Sequence, residues 1–136
     1  MTGPVPEPVV LDASSTVDLL AGTEHAPAVT ARLSGAVLHA PAHLDAEVLS
    51  ALGRLHRAGH LAADDVKTGL QALAAMPVTR HPLADLLDDT WALRDNMRLV
   101  DALYVALAAR LDVPLITTDH RLARTCTRAE SVPGTT

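Results

Sequence analysis

The chain has 136 residues, the length of a single domain that is large enough to bury a core. Apolar residues make up 49% of it but aromatic residues only 1%, which excludes an aromatic core and predicts one built from Ala, Leu and Val. The net charge of −5 lacks the basic excess typical of nucleic-acid binding, but the carboxylates of a metal site would account for much of that deficit, so charge alone decides nothing.

The order of predicted elements indicates an α/β domain. Residues 1–8 are proline-rich and predict a flexible N-terminal arm, followed by a domain over 9–132 and a C-terminal tail at 133–136. Short apolar runs predict strands at 9–11, 36–38, 77–80 and 114–116, and helical periodicity predicts helices at 14–20, 26–33, 43–58, 62–75, 83–93, 99–111 and 120–125. Strands that alternate with helices predict a mainly parallel sheet of four to five strands with helices on both faces, a three-layer α/β/α arrangement.

Four acidic residues lie where a predicted strand gives way to a helix, or on the first turns of a helix: Asp12, Glu47, Asp101 and Asp119. Ligands of an open α/β sheet bind at the carboxyl ends of its strands. Carboxylates that converge there repel one another and need a divalent cation, and oxygen-only ligands suit Mg²⁺ or Mn²⁺ rather than zinc. The pattern therefore indicates a metal-dependent phosphoester hydrolase.

Five sequence motifs occur in the order seen in PIN-domain proteins. They are Leu11-Asp12-Ala13-Ser14, the helical stretch Glu47-Val48-Leu49-Ser50-Ala51-Leu52, Trp91-Ala92-Leu93-Arg94-Asp95-Asn96, Asp101-Ala102-Leu103-Tyr104-Val105-Ala106-Leu107-Ala108, and Leu115-Ile116-Thr117-Thr118-Asp119-His120-Arg121-Leu122-Ala123. In this the chain resembles the VapC-type toxins of bacterial toxin–antitoxin systems, over nearly its whole length. The resemblance implies a PIN-like fold and a metal-dependent endoribonuclease that cleaves RNA phosphodiester bonds as the toxin of a type II pair.

The same resemblance assigns roles to individual residues. It makes Asp12, Glu47, Asp101 and Asp119 the catalytic, Mg²⁺- or Mn²⁺-binding quartet, with supporting polar residues at Ser14 and Thr117. Which acids ligate directly and which orient water stays open at this point. Family members often have Ser or Thr at the position of Arg98, and Tyr at the position of Val100, so the contacts with substrate are expected to differ here.

Two arginines are candidate RNA-binding residues. Arg54 lies two turns beyond Glu47 on the same predicted helix face, and Arg94 lies in the Trp-x-Leu-Arg stretch. We expect Trp91 to pack in the core. With so few aromatic side chains to stack bases, RNA recognition is expected to rest on backbone, 2′-OH and shape, and a structured RNA such as tRNA is the substrate that the family suggests.

Other readings of the sequence have less support. A receiver-like or phosphatase domain would use Asp12 as nucleophile or phosphoacceptor, but a receiver needs a late-strand lysine and the single lysine, Lys67, lies in a mid-chain helix. A PIN fold that binds without catalysis is the main alternative. His39, His43 and Glu47 have the spacing of a zinc site on one helix, but Pro41 is expected to break that helix between the histidines. We expect Cys126 to be an inert small side chain.

The resemblance implies a co-expressed antitoxin as a partner, and the charge and the apolar content suggest how it would bind. A metal-free cleft of carboxylates is expected to receive an arginine of a cognate antitoxin, near Asp12, Asp101 and Asp119, because a guanidinium binds carboxylates bidentately. The apolar faces of the helices at 43–58 and 62–75 are the expected groove for that antitoxin, and also serve a predicted homodimer. No apolar stretch approaches the roughly 20 residues of a membrane helix, so we expect a cytoplasmic protein without membrane contact.

Overall fold

The computed structural model describes residues 5–132 of the protein. Within them five strands form one sheet in which every pairing is parallel. The strands are β1 (Pro8–Leu11), β2 (Val37–Pro41), β3 (Val78–His81), β4 (Leu115–Thr117) and β5 (Ala129–Ser131), in the order β3-β2-β1-β4-β5. This order places the carboxyl ends of β1 and β4 side by side in the centre of the sheet.

Helices connect successive strands. They are α1 (Ala13–Ala21), α2 (Ala26–Leu33), α3 (Leu44–Arg57), α4 (Ala63–Ala75), α5 (Leu87–Ala92), α6 (Leu99–Leu111) and α7 (His120–Thr125), with a 3₁₀ turn at Leu83–Leu86. Residues of the central strands pack in two separate clusters. Val10 packs in the core cluster that includes residues of α3 and α6, whereas Val9 and Ile116 pack with Val29 of α2. The predicted α/β/α fold with a parallel sheet is therefore confirmed.

Several predicted boundaries differ from the structure. The fifth strand was not located in the sequence, because Ala129-Glu130-Ser131 contains no apolar run. The predicted helix at 83–93 is divided into the 3₁₀ turn and α5, and the turn begins directly after Pro82. β1 begins at Pro8, inside the predicted arm, while residues 1–4 of that arm and the predicted tail at 133–136 lie outside the described residues.

The centre of the fold is α6, which has seven consecutive buried residues from Ala102 to Ala108. Its alanines at 102, 106 and 108 are 0–3% exposed, so the helix lies close to its neighbours with little side-chain volume between them. The predicted position of Trp91 in the core is wrong: its side chain is 59% exposed on the short helix α5. Within residues 5–132, no helix combines the length and apolar character needed to span a bilayer.

Arg32, on α2, holds together two segments that are distant in sequence. Its guanidinium donates to Glu7, just before β1, at 3.1 and 3.2 Å, and to both carboxylate oxygens of Glu130 in β5. The carbonyl of Glu7 also accepts from the backbone N–H of Val37 at 2.8 Å. These contacts attach the edge strand and the start of β1 to the same helix.

The packing of α3 gives a test of the core. Leu52 is 1% exposed, so Leu52→Ala leaves a cavity and should lower the free energy of unfolding by about 2–5 kcal/mol. Leu49 lies on the same helix and is 53% exposed, so Leu49→Ala should change it by no more than about 0.5 kcal/mol. Urea unfolding of both variants measures the difference, and equal effects would contradict this placement of α3.

Candidate active site

A cavity of about 330 Å³ opens at the carboxyl ends of β1 and β4, and all four predicted acids line it. We call it the acidic cavity. Its lining consists of Asp12, Ala13, Ser14, Val17, Asp18, Glu47, Ala51, Arg54, Arg98, Asp101, Tyr104 and Asp119. Residues from α1, α3, α6 and the β4–α7 junction therefore meet at the position that parallel-sheet topology predicts for a ligand site.

Asp12 is the most buried of the four acids, with 4% of its surface exposed. It caps α1, and its carboxylate accepts from the backbone N–H of Ser15 at 2.9 Å. The hydroxyls of Ser14, Ser15 and Thr117 donate to the same carboxylate. Burial raises the pKa of Asp12 above its ordinary value, although these hydrogen bonds oppose the rise.

The same hydroxyls join the ends of β1 and β4. The hydroxyls of Ser14 and Thr117 are 3.2 Å apart, and the Ser15 hydroxyl donates to the carbonyl of Ile116 at 3.2 Å. The backbone N–H of Thr118 donates to the Ser14 hydroxyl at 3.2 Å. The supporting positions predicted at Ser14 and Thr117 thus contact Asp12, while the equivalent contact of Ser15 was not foreseen.

Glu47 lies on the first turn of α3 and is fixed from two sides. The Tyr104 hydroxyl donates to its Oε1 at 2.7 Å, and Nε2 of His43 lies 3.3 Å from the same oxygen. Burial would raise the pKa of Glu47, but the contacts with His43 and Tyr104 outweigh burial and hold that pKa below its ordinary value. Neither contact uses Oε2.

Asp101 is paired with Arg98, the residue just before its own helix. Arg98 Nε and Nη2 donate to its two carboxylate oxygens at 3.0 and 3.2 Å. The side chain of Arg98 is 70% exposed and that of Asp101 23%, so the pair stands at the mouth of the cavity. Because the partner is one turn away and exposed to water, this ion pair contributes about 0–1 kcal/mol and exchanges readily.

Asp119 caps the short helix α7. Its Oδ1 accepts from the backbone N–H of Arg121 at 2.9 Å and of Leu122 at 3.4 Å, and its own N–H donates to the Thr117 hydroxyl at 2.9 Å. The carboxylate is therefore aimed by the turn between β4 and α7. Through Thr117, it shares a hydrogen-bond network with Asp12.

The four carboxylates do not stand as an uncompensated cluster, as the sequence alone suggested. Each has a partner of its own: hydroxyls at Asp12, a phenol and an imidazole at Glu47, a guanidinium at Asp101 and backbone N–H groups at Asp119. Mutual repulsion is therefore a smaller cost to the folded state than four bare charges would impose.

A hard divalent cation fits the chemistry of the lining. Every acidic or hydroxyl group there offers oxygen, and neither histidine nor cysteine is among the lining residues. Among residues 5–132, however, no three Asp, Glu, His or Cys side chains are close enough to form a compact metal-binding group. The arrangement suits an ion such as Mg²⁺, which keeps several waters and contacts only one or two carboxylates directly.

The two candidate RNA-binding arginines are in different places. Arg54 lines the acidic cavity and donates to the Ser50 hydroxyl at 2.8 Å. Arg94 does not line the cavity: its guanidinium lies 4.9 Å from the centre of the Trp91 ring. The structure thus brings together every predicted site residue except Arg94, with Thr117 contributing behind the cavity wall.

The zinc arrangement of His39 with His43 and Glu47 is absent from the described residues. His39 lies on β2, and its Nδ1 is 2.9 Å from Nε2 of His81 on the neighbouring strand. His43 precedes α3 and contacts Glu47 instead. Pro41, which was expected to break a helix between the histidines, is instead the last residue of β2.

Four further residues of the site were missed or left without a role in the sequence. Tyr104 and Arg98 lie three residues after and before Asp101, a spacing that places them on the same helix face, so the signal was present. His43 lies four residues before Glu47 and was weighed only as a zinc ligand. Asp18, taken as a solvated surface acid, also lines the cavity.

Comparison with known proteins assigns the family. The sequence model of the PIN domain family matches residues 9–127. The chain belongs to the PIN-domain family. Ribonuclease VapC3 of Mycobacterium tuberculosis is 54% identical over 128 residues, which are 93% of this chain and 93% of that protein. Ribonuclease VapC1 of the same organism is 44% identical over 117 residues, 84% of this chain and 87% of that protein. The predicted VapC-type membership is therefore confirmed.

Solved structures agree on the fold. PAE2754 from Pyrobaculum aerophilum superposes with a TM-score of 0.68 at 22% identity, over 94% of this chain and 85% of that one. VapC20 of M. tuberculosis, described as a Sarcin-Ricin loop cleaving toxin, gives 0.63 at 20% identity, over 85% of this chain and 93% of that one. At these identities the likeness concerns the fold alone.

The contacts of Glu47 predict a pH effect. Its pKa is held below 4.5, so ionised Glu47 stabilises the fold above that pH, and the stabilisation is lost as the pH falls through the lowered pKa. Tyr104→Phe removes only the hydroxyl. It should raise the pKa of Glu47 and lower the free energy of unfolding at pH 7 by about 1–2 kcal/mol, with a smaller difference in acid.

Carboxylate titration by NMR and urea unfolding at pH 7 and at acid pH check both parts. A Glu47 midpoint that is the same in wild type and Tyr104→Phe would contradict the assigned hydrogen bond.

Proposed function

We propose that the protein is an endoribonuclease that hydrolyses RNA phosphodiester bonds at the acidic cavity, as the toxin of a VapC-type toxin–antitoxin pair. The observation that carries the proposal is that Asp12, Glu47, Asp101 and Asp119, which come from four separate parts of the chain, line one cavity at the carboxyl edge of the sheet. Relatives with 54% and 44% identity are named ribonucleases, which supports the same activity.

The contacts of each acid suggest a division of labour. Both oxygens of Asp12 accept hydroxyl donors, so this carboxylate is held in a fixed orientation at the base of the cavity. Glu47 is ionised at neutral pH, and its Oε2, unused by Tyr104 and His43, is the acceptor that orients an attacking water. Asp119 is aimed from the opposite side by its backbone donors.

We propose Mg²⁺ or Mn²⁺ as the cofactor, held by Asp12 and Asp101 with Glu47 and Asp119 acting directly or through water. When bound, such an ion lowers the pKa of a coordinated water and offsets the charge that develops on the phosphate. The absence of histidine and cysteine from the lining, whose acids and hydroxyls offer only oxygen, supports this choice. For Asp101, release from Arg98 is the local rearrangement that binding requires.

We propose a structured RNA, such as tRNA, as the substrate class. The chain has one Trp and one Tyr, and Tyr104 is 1% exposed, so stacking of bases on aromatic side chains has little support in the described site. Arg54 in the cavity wall is the retained candidate for an RNA contact. Arg94 is retained only as a candidate outside the cavity.

The non-catalytic alternative has weaker support. A binding module has no need for four acids that line one cavity, nor for the hydroxyl network around Asp12. A phosphatase in which Asp12 is the nucleophile has less support, because the relatives with 54% and 44% identity are named ribonucleases.

We propose that a cognate antitoxin binds the groove between α3 and α4 and inserts an arginine near Asp12, Asp101 and Asp119. A depression of about 320 Å³ between the two helices supports the first part; its lining is Asp45, Leu49, Leu70, Leu73, Ala74 and Arg80. The bidentate pair of Arg98 with Asp101 supports the second, because it demonstrates that a guanidinium fits against this acid. We propose, with this partner, that the protein is cytoplasmic.

We also propose a homodimer, and assign it to a surface other than the antitoxin groove. Leu87 and Trp91 of α5 are 58% and 59% exposed, and Leu99 and Val100 of α6 are 43% and 41% exposed. They surround a depression of about 300 Å³, which we call the Trp91 surface.

The chemistry is tested with Asp12→Asn in the purified protein. This change should lower Mg²⁺- or Mn²⁺-dependent RNA cleavage by roughly a hundredfold or more, because a preorganised charge of the site is lost. It should also reduce the rise in melting temperature on addition of Mn²⁺. Asp88→Asn is the matched control, since Asp88 is exposed on α5 and lines neither depression nor cavity described here. Wild-type cleavage by Asp12→Asn would exclude this active site.

Two single substitutions, each of which replaces an exposed apolar side chain with an acidic one, test the two partner surfaces separately. Leu49→Asp in the α3–α4 groove should abolish co-purification with the antitoxin encoded beside the gene and leave the mass in solution unchanged. Trp91→Asp should convert a dimer to a monomer in light scattering and leave antitoxin binding intact. The reverse pattern would exchange the two assignments, and wild-type behaviour of both variants would exclude them.

A further inference from the structure

A second cavity of about 190 Å³ adjoins the acidic cavity, and we call it the flanking cavity. Its lining is Asn96, Met97, Arg98, Asp101, Asp119, Arg121, Leu122 and Thr125. Arg98, Asp101 and Asp119 line both cavities, so the two adjoin at these side chains. A ligand that extends from one cavity to the other therefore passes these three residues.

The flanking cavity differs from the acidic cavity in its charge. Two acids and two arginines line it, whereas five acids and two arginines line the acidic cavity. The side chains of Arg98 and Arg121 are 70% and 81% exposed. Arg121 approaches Asp119 only to 3.9 Å, beyond hydrogen-bond distance, so its donors are available to a ligand.

An RNA strand needs cationic contacts beside a centre that is lined by carboxylates. Its phosphates repel those carboxylates, and the net charge of −5 supplies no general attraction. A guanidinium fork matches a phosphate as well as it matches a carboxylate, so Arg98 exchanges Asp101 for a phosphate without loss of geometry. The amide of Asn96, exposed at the same rim, adds a neutral donor.

From these contacts we propose that the flanking cavity binds the RNA backbone phosphate next to the one that is cleaved, through Arg98 and Arg121. The inference rests on the proposed ribonuclease function and extends it from the reacting centre to the path of the strand. It also gives Arg98 a role at the position where the family's pattern often has Ser or Thr. RNA then runs from Arg54 on α3, across the acids, to α7.

The test separates binding from cleavage. Asp12→Asn protein, in which cleavage is suppressed, is titrated in Mg²⁺ buffer with a fluorescein-labelled single-stranded RNA of mixed sequence, and anisotropy is followed over a range of salt concentrations. Adding Arg98→Ala and Arg121→Ala should raise the Kd by about tenfold or more and reduce the slope of log K against log salt by about 0.7 for each lost phosphate contact. Arg98→Lys alone keeps the charge but loses the planar fork of the guanidinium. Its Kd should therefore lie between that of the Asp12→Asn protein and that of the double arginine variant.

The matched control carries Arg57→Ala and Arg124→Ala in the same Asp12→Asn background. Both arginines are exposed and line neither cavity, so the control loses the same charge elsewhere. Equal losses in the two double variants, or unchanged binding after Arg98→Ala and Arg121→Ala, would overturn the assignment. Circular dichroism of each variant confirms that the fold is kept.

A failure of this inference can be told apart from a failure of the proposed function. Suppose that the wild-type protein cleaves RNA, that Asp12→Asn does not, and that the arginine variants bind RNA normally. The phosphate site in the flanking cavity is then wrong, and the ribonuclease function is supported. If no RNA is cleaved but binding depends on Arg98 and Arg121 and not on the control pair, the phosphate site stands and the catalytic proposal fails.

Discussion

The hydrogen-bonded burial of Asp12 is the interaction on which the rest of the site depends. An ionised carboxylate with 4% exposure is costly unless it is hydrogen-bonded, and Ser14, Ser15 and Thr117 supply the donors. Because Thr117 ends β4 and the serines begin α1, the same bonds fix the two strand ends against each other. The position of Asp119, two residues after Thr117, follows from that junction.

The helix α6 couples the core to the site. Residues 102–108 are all buried, so the helix has a single packing arrangement, and Asp101 stands at the point where it emerges from the core. Tyr104 belongs to both regions, since its ring is 1% exposed while its hydroxyl holds Glu47. A core substitution that displaces α6 should therefore move Glu47 and Asp101 together, even when it changes no residue that lines the cavity.

The sequence predicted features that depend on backbone pattern, and missed those that depend on long-range side-chain pairing. Strands, crossovers and the convergence of the acids follow from periodicity and parallel topology, as Asp12 and Asp119 after apolar runs illustrate. Trp91 was placed in the core because large apolar side chains usually lie there, but the short α5 carries it on the surface. No sequence rule indicated that Tyr104 would reach Glu47, 57 positions earlier in the chain.

The arginine on α2 has a consequence for how the domain opens. Arg32 holds Glu7 and Glu130 at once, so the lead-in to a central strand and the outermost strand share one anchor. The three-residue edge strand is the natural place for fraying, and each opening there removes one of the two anions that hold the guanidinium in place. The two segments consequently loosen as one cooperative unit, and amide protons at either should exchange with solvent at correlated rates.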